Sequence, residues 1–263
     1  MESIGVTLLS GGLDSTTVTT YAKDRVQRLT ALTFHYGQTH SKEVQCAQEV
    51  ARLLGIHYDL VDISAFGKVA WYSSLTSPER FPLPKDRLSQ PAVAGPHPGG
   101  RRPENPEASI PITYVPLRNT FFLTIAGAFL ESLALYAIEV QGVAPQEVGA
   151  YIFMAPNAID YSGYPDCRPE YYEKMRDALM HGSKLWAQYR VPIQIETPII
   201  HLSKAEIVKL GMELKAPLEH TWSCYEAGDL PCGRCDSCVL RARGFAEAGY
   251  KDPLLARLGV TSP

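Results

Sequence analysis

The chain is expected to fold as an α/β protein, a doubly wound and mostly parallel sheet of Rossmann-like type with a C-terminal metal-binding segment. Three observations carry that expectation. Short apolar runs of strand length alternate with helical patterns, a glycine turn SGGLDS ends the first run, and four cysteines crowd into fifteen residues near the C-terminus. Strand–helix–strand order implies parallel pairing through right-handed crossovers.

Taken in order, IGVTLL (4–9) is the first strand, followed by a helix through Val18 and Tyr21. LTALTFHY (29–36) is the second strand. The next segment, SKEVQCAQEVARLLG, lines Val44, Ala47, Ala51 and Leu54 along one helical face and stops at Gly55. HYDLVDI (57–63) closes a βαβαβ unit. Between Leu75 and Pro111 periodicity is lost, because ten of the twenty prolines fall between Pro78 and Pro116. That composition forbids regular elements and predicts a long loop or lid, with an inert surface insertion as the competing reading.

Order resumes with an apolar helix over 119–139, a strand near 149–155, and a helix from Pro169 through Trp186. A strand over IQIETPII (193–200) follows. LSKAEIVKLG then carries a capping box, Ser203 with Glu206, and Gly211 as its expected stop. The cysteine cluster and a short final helix end the chain. We divide it into an α/β unit, 1–215, that carries the glycine turn, and a C-terminal segment, 216–263, that carries the cysteine cluster and packs on it.

Composition narrows the function classes. Hydrophobic residues make up 45% of 263 positions and charged ones 20%, so a buried core rather than disorder is expected. The net charge of −3 gives no basic face for nucleic acid. The acid at Glu2 and the immediate strand pattern do not read as a secretory leader. Phe121–Ile138 is the longest apolar stretch, but Glu131 and several hydroxyls interrupt it, which fits a core helix better than a membrane span. A soluble cytoplasmic protein is expected.

Two motifs carry chemistry. SGGLDS between a strand and a helix delivers ligand to a helix N-terminus, where unpaired N–H groups and the helix dipole favour phosphate. The glycines admit close backbone approach, and Ser10 and Ser15 add hydroxyl donors. No lysine stands beside the turn, so it is not a Walker A loop. CYEAGDLPCGRCDSC places Cys224, Cys232, Cys235 and Cys238 in C-x7-C-x2-C-x2-C spacing. Four thiolates suit a closed, tetrahedral, structural Zn²⁺ site. A redox CxxC pair and a nucleic-acid-gripping zinc ribbon are the competing readings.

SGG-x-DS resembles the PP-loop of the ATP pyrophosphatases, which cleave ATP between its α and β phosphates. Together with TFHYGQTHSKEVQCA (33–47), YVPLRNTFFL (114–123), DYSGYPDCRPE (160–170), TPIIHLSKAEI (197–207) and the cysteine spacing, the chain closely resembles the 7-cyano-7-deazaguanine synthase family. The resemblance implies that 7-carboxy-7-deazaguanine and ammonia become the 7-cyano base, with ATP adenylating first the acid and then the amide. It implies ATP on Leu8, Leu9, Ser10, Gly11, Gly12, Leu13, Asp14, Ser15, Thr16, Thr17 and Val18, with Mg²⁺ accompanying the nucleotide. Ser10, Asp14 and Lys204 become the candidate catalytic residues, Asp14 as a magnesium or loop-orienting group.

Arg118, Asn119, Asp160, Tyr161, Tyr164, Asp166 and Arg168 are the candidate contacts for a planar base and its carboxylate. Cys167 and His35 are read as packing residues. A homodimer is implied, with no nucleic-acid or membrane partner. The insertion is longer than usual for the family, and Ala155–Pro156 replaces a common Gly–Val pair. Relatives that adenylate another deazaguanine or tRNA, or that attach a deazaguanine to protein, share these motifs and stay open.

Overall fold

The computed structural model describes residues 2–36, 42–86, 110–158, 164–226 and 228–260. Strand β1 (Glu2–Leu8) leads into helix α1 (Leu13–Lys23), β2 (Arg28–His35), α2 (Lys42–Leu54) and β3 (His57–Asp62). After α3 (Ser64–Val69), the chain re-enters order at α4 (Arg118–Glu139) and β4 (Val148–Phe153). Helices α5 (Pro169–His181) and α6 (Lys184–Tyr189), strand β5 (Ile193–Glu196) and α7 (Lys204–Glu213) follow, then α8 (Asp236–Ala248) and α9 (Pro253–Arg257). All five strands pair in parallel in the order β3-β2-β1-β4-β5.

The strand pattern sets the layers. Ile4, Val6 and Leu8 point to one face of β1 and join α4, α5 and α6 through Leu123, Leu130, Tyr172 and Leu185. The opposite face buries Phe153 against Val18 of α1, Ile207 of α7 and Phe245 of α8. There Thr7 Oγ1 and Thr19 Oγ1 hydrogen-bond at 2.9 Å, a satisfied polar pair inside an apolar layer. Helix α4 has the length and mean hydropathy of a membrane span, yet Leu123, Ala126, Leu130, Ala134 and Ala137 are fully buried against the sheet.

Four sequence expectations change. The helix over 169–186 is two helices, because the chain turns at Gly182 and Ser183 caps α6 by accepting Trp186 N–H at 3.2 Å. The strand over 193–200 ends at Glu196, since Ile200 and Leu202 N–H bond back to Thr197 and Ile199 in tight turns. Gly211 does not stop α7. It lies inside the helix, where a Cβ would come within 2.7 Å of Thr17 Oγ1, so glycine permits close helix packing. The end comes after Leu214, where Lys215 takes left-handed φ of 54°. The single final helix is α8 followed by α9.

Most of the proline-rich insertion, 87–109, lies outside the described residues. Residues 75–86 carry no helix or strand, as expected. Their end is fastened: Lys85 pairs with Glu226, and Asp86 pairs with Arg234 while its N–H donates to Arg234 C=O at 3.0 Å.

Candidate functional site

The chain builds β1, β2 and β3 to one side and then crosses to β4, so the strand order reverses between β1 and β4. In open α/β sheets the crevice at the carboxyl ends beside that reversal is where ligands bind. Ser10–Ser15 issue from β1 and Met154–Asn157 from β4, and together they border a cavity of about 380 Å³.

The glycine turn is shaped by its neighbours. Gly11 has φ of +81°, and its α-carbon faces Glu43 C=O and Ala47 N of α2. Gly12 occupies the N-cap of α1 with no side-chain cap, leaving the helix's first N–H groups turned to the cavity mouth. Ser15 Oγ lies 2.9 Å from Ser10 Oγ, accepts Ser10 N–H at 3.2 Å and donates to Gly12 C=O at 3.2 Å. Asp14 stands at the same mouth, and Lys204 Nζ of α7 donates to both its oxygens, at 2.6 and 2.9 Å. Two sequence-predicted catalytic residues, distant in the chain, therefore meet.

The C-terminal segment closes the third side. Trp222 N–H donates to Gly11 C=O at 2.8 Å, and Lys42 Nζ lies 3.9 Å from the centre of the Trp222 ring. Arg241 of α8, almost fully buried, pairs with Asp252 at 2.6 and 2.9 Å and donates to Thr221 Oγ1 at 2.8 Å. Gly244 lets α8 approach α7, since a Cβ there would sit 2.3 Å from Lys204 Cγ.

The far wall holds the expected base contacts. Arg118 opens α4 immediately after Leu117, whose left-handed φ of 55° is strained for a branched side chain. Burial opposes the Arg118 charge, but Tyr36, Tyr164 and Asp166 nearby outweigh it and raise its pKa. Its Nε is enclosed without a hydrogen-bond partner among the described residues. Asn119 N–H and Nδ2 donate to Asp166 Oδ2 and C=O at 3.3 and 3.0 Å. Asp166 lies behind the wall rather than on it, its carboxyl pushed up by burial against the pull of Arg118. Tyr164 lines the cavity and donates its hydroxyl to Thr113 Oγ1 at 2.7 Å. Phe34 and Phe122 stack at 4.4 Å and complete an apolar floor with Tyr36 and Met154.

Of the expected nucleotide contacts, Leu8, Leu9, Ser10, Gly12, Leu13, Asp14 and Ser15 border the cavity. Thr16, Thr17 and Val18 are buried within α1 instead, and Gly11 faces α2. Arg168 is exposed at the N-cap of α5, away from the cavity lining. Asp160 and Tyr161 lie outside the described residues. Cys167 lines the wall, and burial pushes its thiol up to about 11, which keeps it protonated and a poor nucleophile. His35 ends β2, its C=O accepting Ile63 N–H.

Sequence reasoning did not single out Glu43, Tyr36, Trp222 or Arg241 as wall residues. Three of them stand inside or beside the quoted motifs, but only packing turns them inward.

The four clustered cysteines converge, with their sulfurs all within 4.8 Å of one another. A tetrahedral site with metal–sulfur bonds of ~2.3 Å has sulfur–sulfur edges of ~3.8 Å, and Cys232 Sγ lies 4.0 Å from Cys238 Sγ. Backbone N–H groups of Glu226 and Cys232 point at Cys224 Sγ, and those of Arg234 and Cys235 at Cys232 Sγ. Backbone donors aimed at sulfur favour thiolate. The cluster can hold a metal ion.

Several known proteins resemble this chain. A 7-cyano-7-deazaguanine synthase of Thermoplasma acidophilum is 41% identical over 251 residues, covering 95% of this chain and 90% of that protein. One from Desulfatibacillum aliphaticivorans is 40% identical over 253 residues, covering 94% of each. Among solved structures, a 4-thiouridine synthetase–RNA complex with bound ATP is similar at a TM-score of 0.42 and 15% identity, covering 93% of this chain and 53% of that one. An NMN synthetase from Francisella tularensis is similar at 0.37 and 17%, covering 94% and 77%. The family model described as queuosine biosynthesis protein QueC matches residues 4–249, which take in the glycine turn, the cavity walls and all four clustered cysteines, and the chain belongs to that family.

Proposed function

We propose that the protein converts 7-carboxy-7-deazaguanine and ammonia into 7-cyano-7-deazaguanine at the cost of two ATP, each released as AMP and diphosphate. One observation supports this most: in a member of the QueC family, the glycine turn and the Asp14–Lys204 pair meet at the sheet's reversal point. In this reading the turn and the N-terminus of α1 hold the departing diphosphate. Lys204 neutralises the charge that grows as the α–β bond breaks, while Asp14 orients it or meets the Mg²⁺ carried in with ATP. Arg118 and Asn119 face the substrate carboxylate, and the flat floor of Phe34 and Phe122 takes the planar base.

A carboxylate is a poor electrophile, so its oxygen attacks the α-phosphate and ammonia then displaces AMP. The resulting amide oxygen repeats the attack in the same cavity, and elimination of the second AMP leaves the nitrile. Cys224, Cys232, Cys235 and Cys238 hold one Zn²⁺, which supplies rigidity and no open ligand position. The remaining readings are a division into 1–215 and 216–263, a homodimer, and a cytoplasmic location. Incubating the protein with the three substrates should yield product of nitrile mass with AMP and diphosphate. ADP and phosphate alone would contradict the reading. Ser10→Ala and Asp14→Ala should lose turnover while melting near wild type.

A further inference from the structure

Nitrile formation removes every proton from the nitrogen that enters. Ammonia loses one as it displaces AMP and becomes the amide. Adenylation of the amide oxygen releases the second, leaving R–C(=NH)–O–AMP. In the last step the remaining N–H bond breaks, its electron pair forms the third C–N bond, and the C–O bond breaks as AMP leaves. Starting from ammonium, the stable form at neutral pH, a fourth proton must go first. A side chain lining the cavity can take them more directly than bulk water.

Among the described residues, two carboxylates line this cavity, Asp14 and Glu43. Both oxygens of Asp14 are occupied by Lys204 Nζ. Glu43 belongs to the first turn of α2, directly across from Gly11. It lines the same cavity as the phosphate turn and Arg118, where the acyl adenylate of the proposed reaction would lie. We propose that Glu43 binds the incoming ammonium and serves as the base that receives the nitrogen's protons. Burial pushes its carboxyl up to about 7 against the pull of Arg118, a value from which a proton is both accepted and returned near neutrality.

The inference rests on the function proposed above, and the test separates the two. Substrate-dependent exchange of labelled diphosphate into ATP reports adenylation alone, and hydroxylamine, uncharged at neutral pH, traps the acyl adenylate as hydroxamate. In Glu43→Gln, exchange should stay within about threefold of wild type, and hydroxamate formation should fall less than amide formation, since hydroxylamine arrives without the extra ammonium proton and gives up only the one lost on displacing AMP. Amide formation from ammonium should fall about 100-fold, the upper part of the range for losing one general base being larger still. Glu43→Asp should recover part of it. If Glu43→Gln loses exchange and amide formation in parallel, or keeps both, Glu43 is not the base. If wild type shows no exchange with the deazaguanine acid, the functional reading itself has failed.

Discussion

Substituting alanine for Gly11 and for Gly12 separately should give opposite outcomes in adjacent positions. At Gly11, a Cβ would lie 2.3 Å from Glu43 C=O, 2.8 Å from Ala47 N and 3.1 Å from Cys46 Cβ. The first two are backbone atoms of a helix, so relief requires moving the start of α2 by about an ångström. Overpacking of this kind costs ~1–3 kcal/mol. The left-handed φ of +81° adds ~1–2 kcal/mol for any residue with a Cβ. Reduced freedom in the unfolded chain returns only ~0.4–1 kcal/mol.

The net loss is about 3 kcal/mol, or ~6–12 °C in Tm at the sensitivity of a domain this size. At Gly12, φ is −81° and the nearest atoms to a Cβ are Ser10 Oγ at 3.5 Å and Trp222 C=O at 3.7 Å. Gly12→Ala should therefore melt within ~2 °C of wild type. Because Gly12 lines the cavity, it should still weaken nucleotide binding. Scanning calorimetry on the two proteins decides the matter. Equal melting temperatures, whether both high or both low, would refute the packing argument.

Other expectations can be measured alongside. Metal analysis should find one zinc per chain, and replacing any of Cys224, Cys232, Cys235 or Cys238 by serine should lower metal content and Tm together, since metal binding is coupled to folding. Asp252→Ala strands the buried Arg241 guanidinium and should cost ~3–5 kcal/mol, read by urea unfolding; Asp252→Asn, which keeps an acceptor and the α9 cap, should cost less. The Glu43 carboxyl is raised to about 7 in the fold from 4.5, so the native state holds the proton more tightly and its stabilising share is lost as pH rises through 7. Glu43→Gln should accordingly gain about 2 kcal/mol over wild type between pH 5.5 and pH 8, and a constant difference would overturn that assignment.

Much of this architecture can be read from local pattern. Val6 and Leu8 alternate with Gly5 and Thr7, Gly55 stops α2 at φ of +65°, and Ser203 with Glu206 forms the capping box its spacing announces. Gly211 misled because a glycine near a helix end looks the same whether it permits a left-handed turn or a close neighbour; Thr17, distant in sequence, and Leu218, on the segment that folds back after α7, make it the latter. IQIETPII misled because an apolar run does not reveal where pairing ends, and β4 offers partners only as far as Glu196. The glycine turn and the cysteine spacing are legible because backbone geometry and ligand count are written locally. Trp222 and Glu43 are not, since only tertiary packing brings them beside Gly11.

The hydrogen bond from Trp222 N–H to Gly11 C=O has a consequence for the order of synthesis. The glycine turn leaves a ribosome well before Trp222, one of the groups that holds it. Strand β1 is central, and its neighbour β4 also arrives only after β2, α2, β3, α3 and α4. Non-local pairings of this kind are closed late, after their loop entropy has been met. An N-terminal fragment ending before Thr221 would carry the whole nucleotide motif yet leave Gly11 C=O without that donor and one side of the cavity open. A chain that stops short of Trp222 thus has the motif without the site.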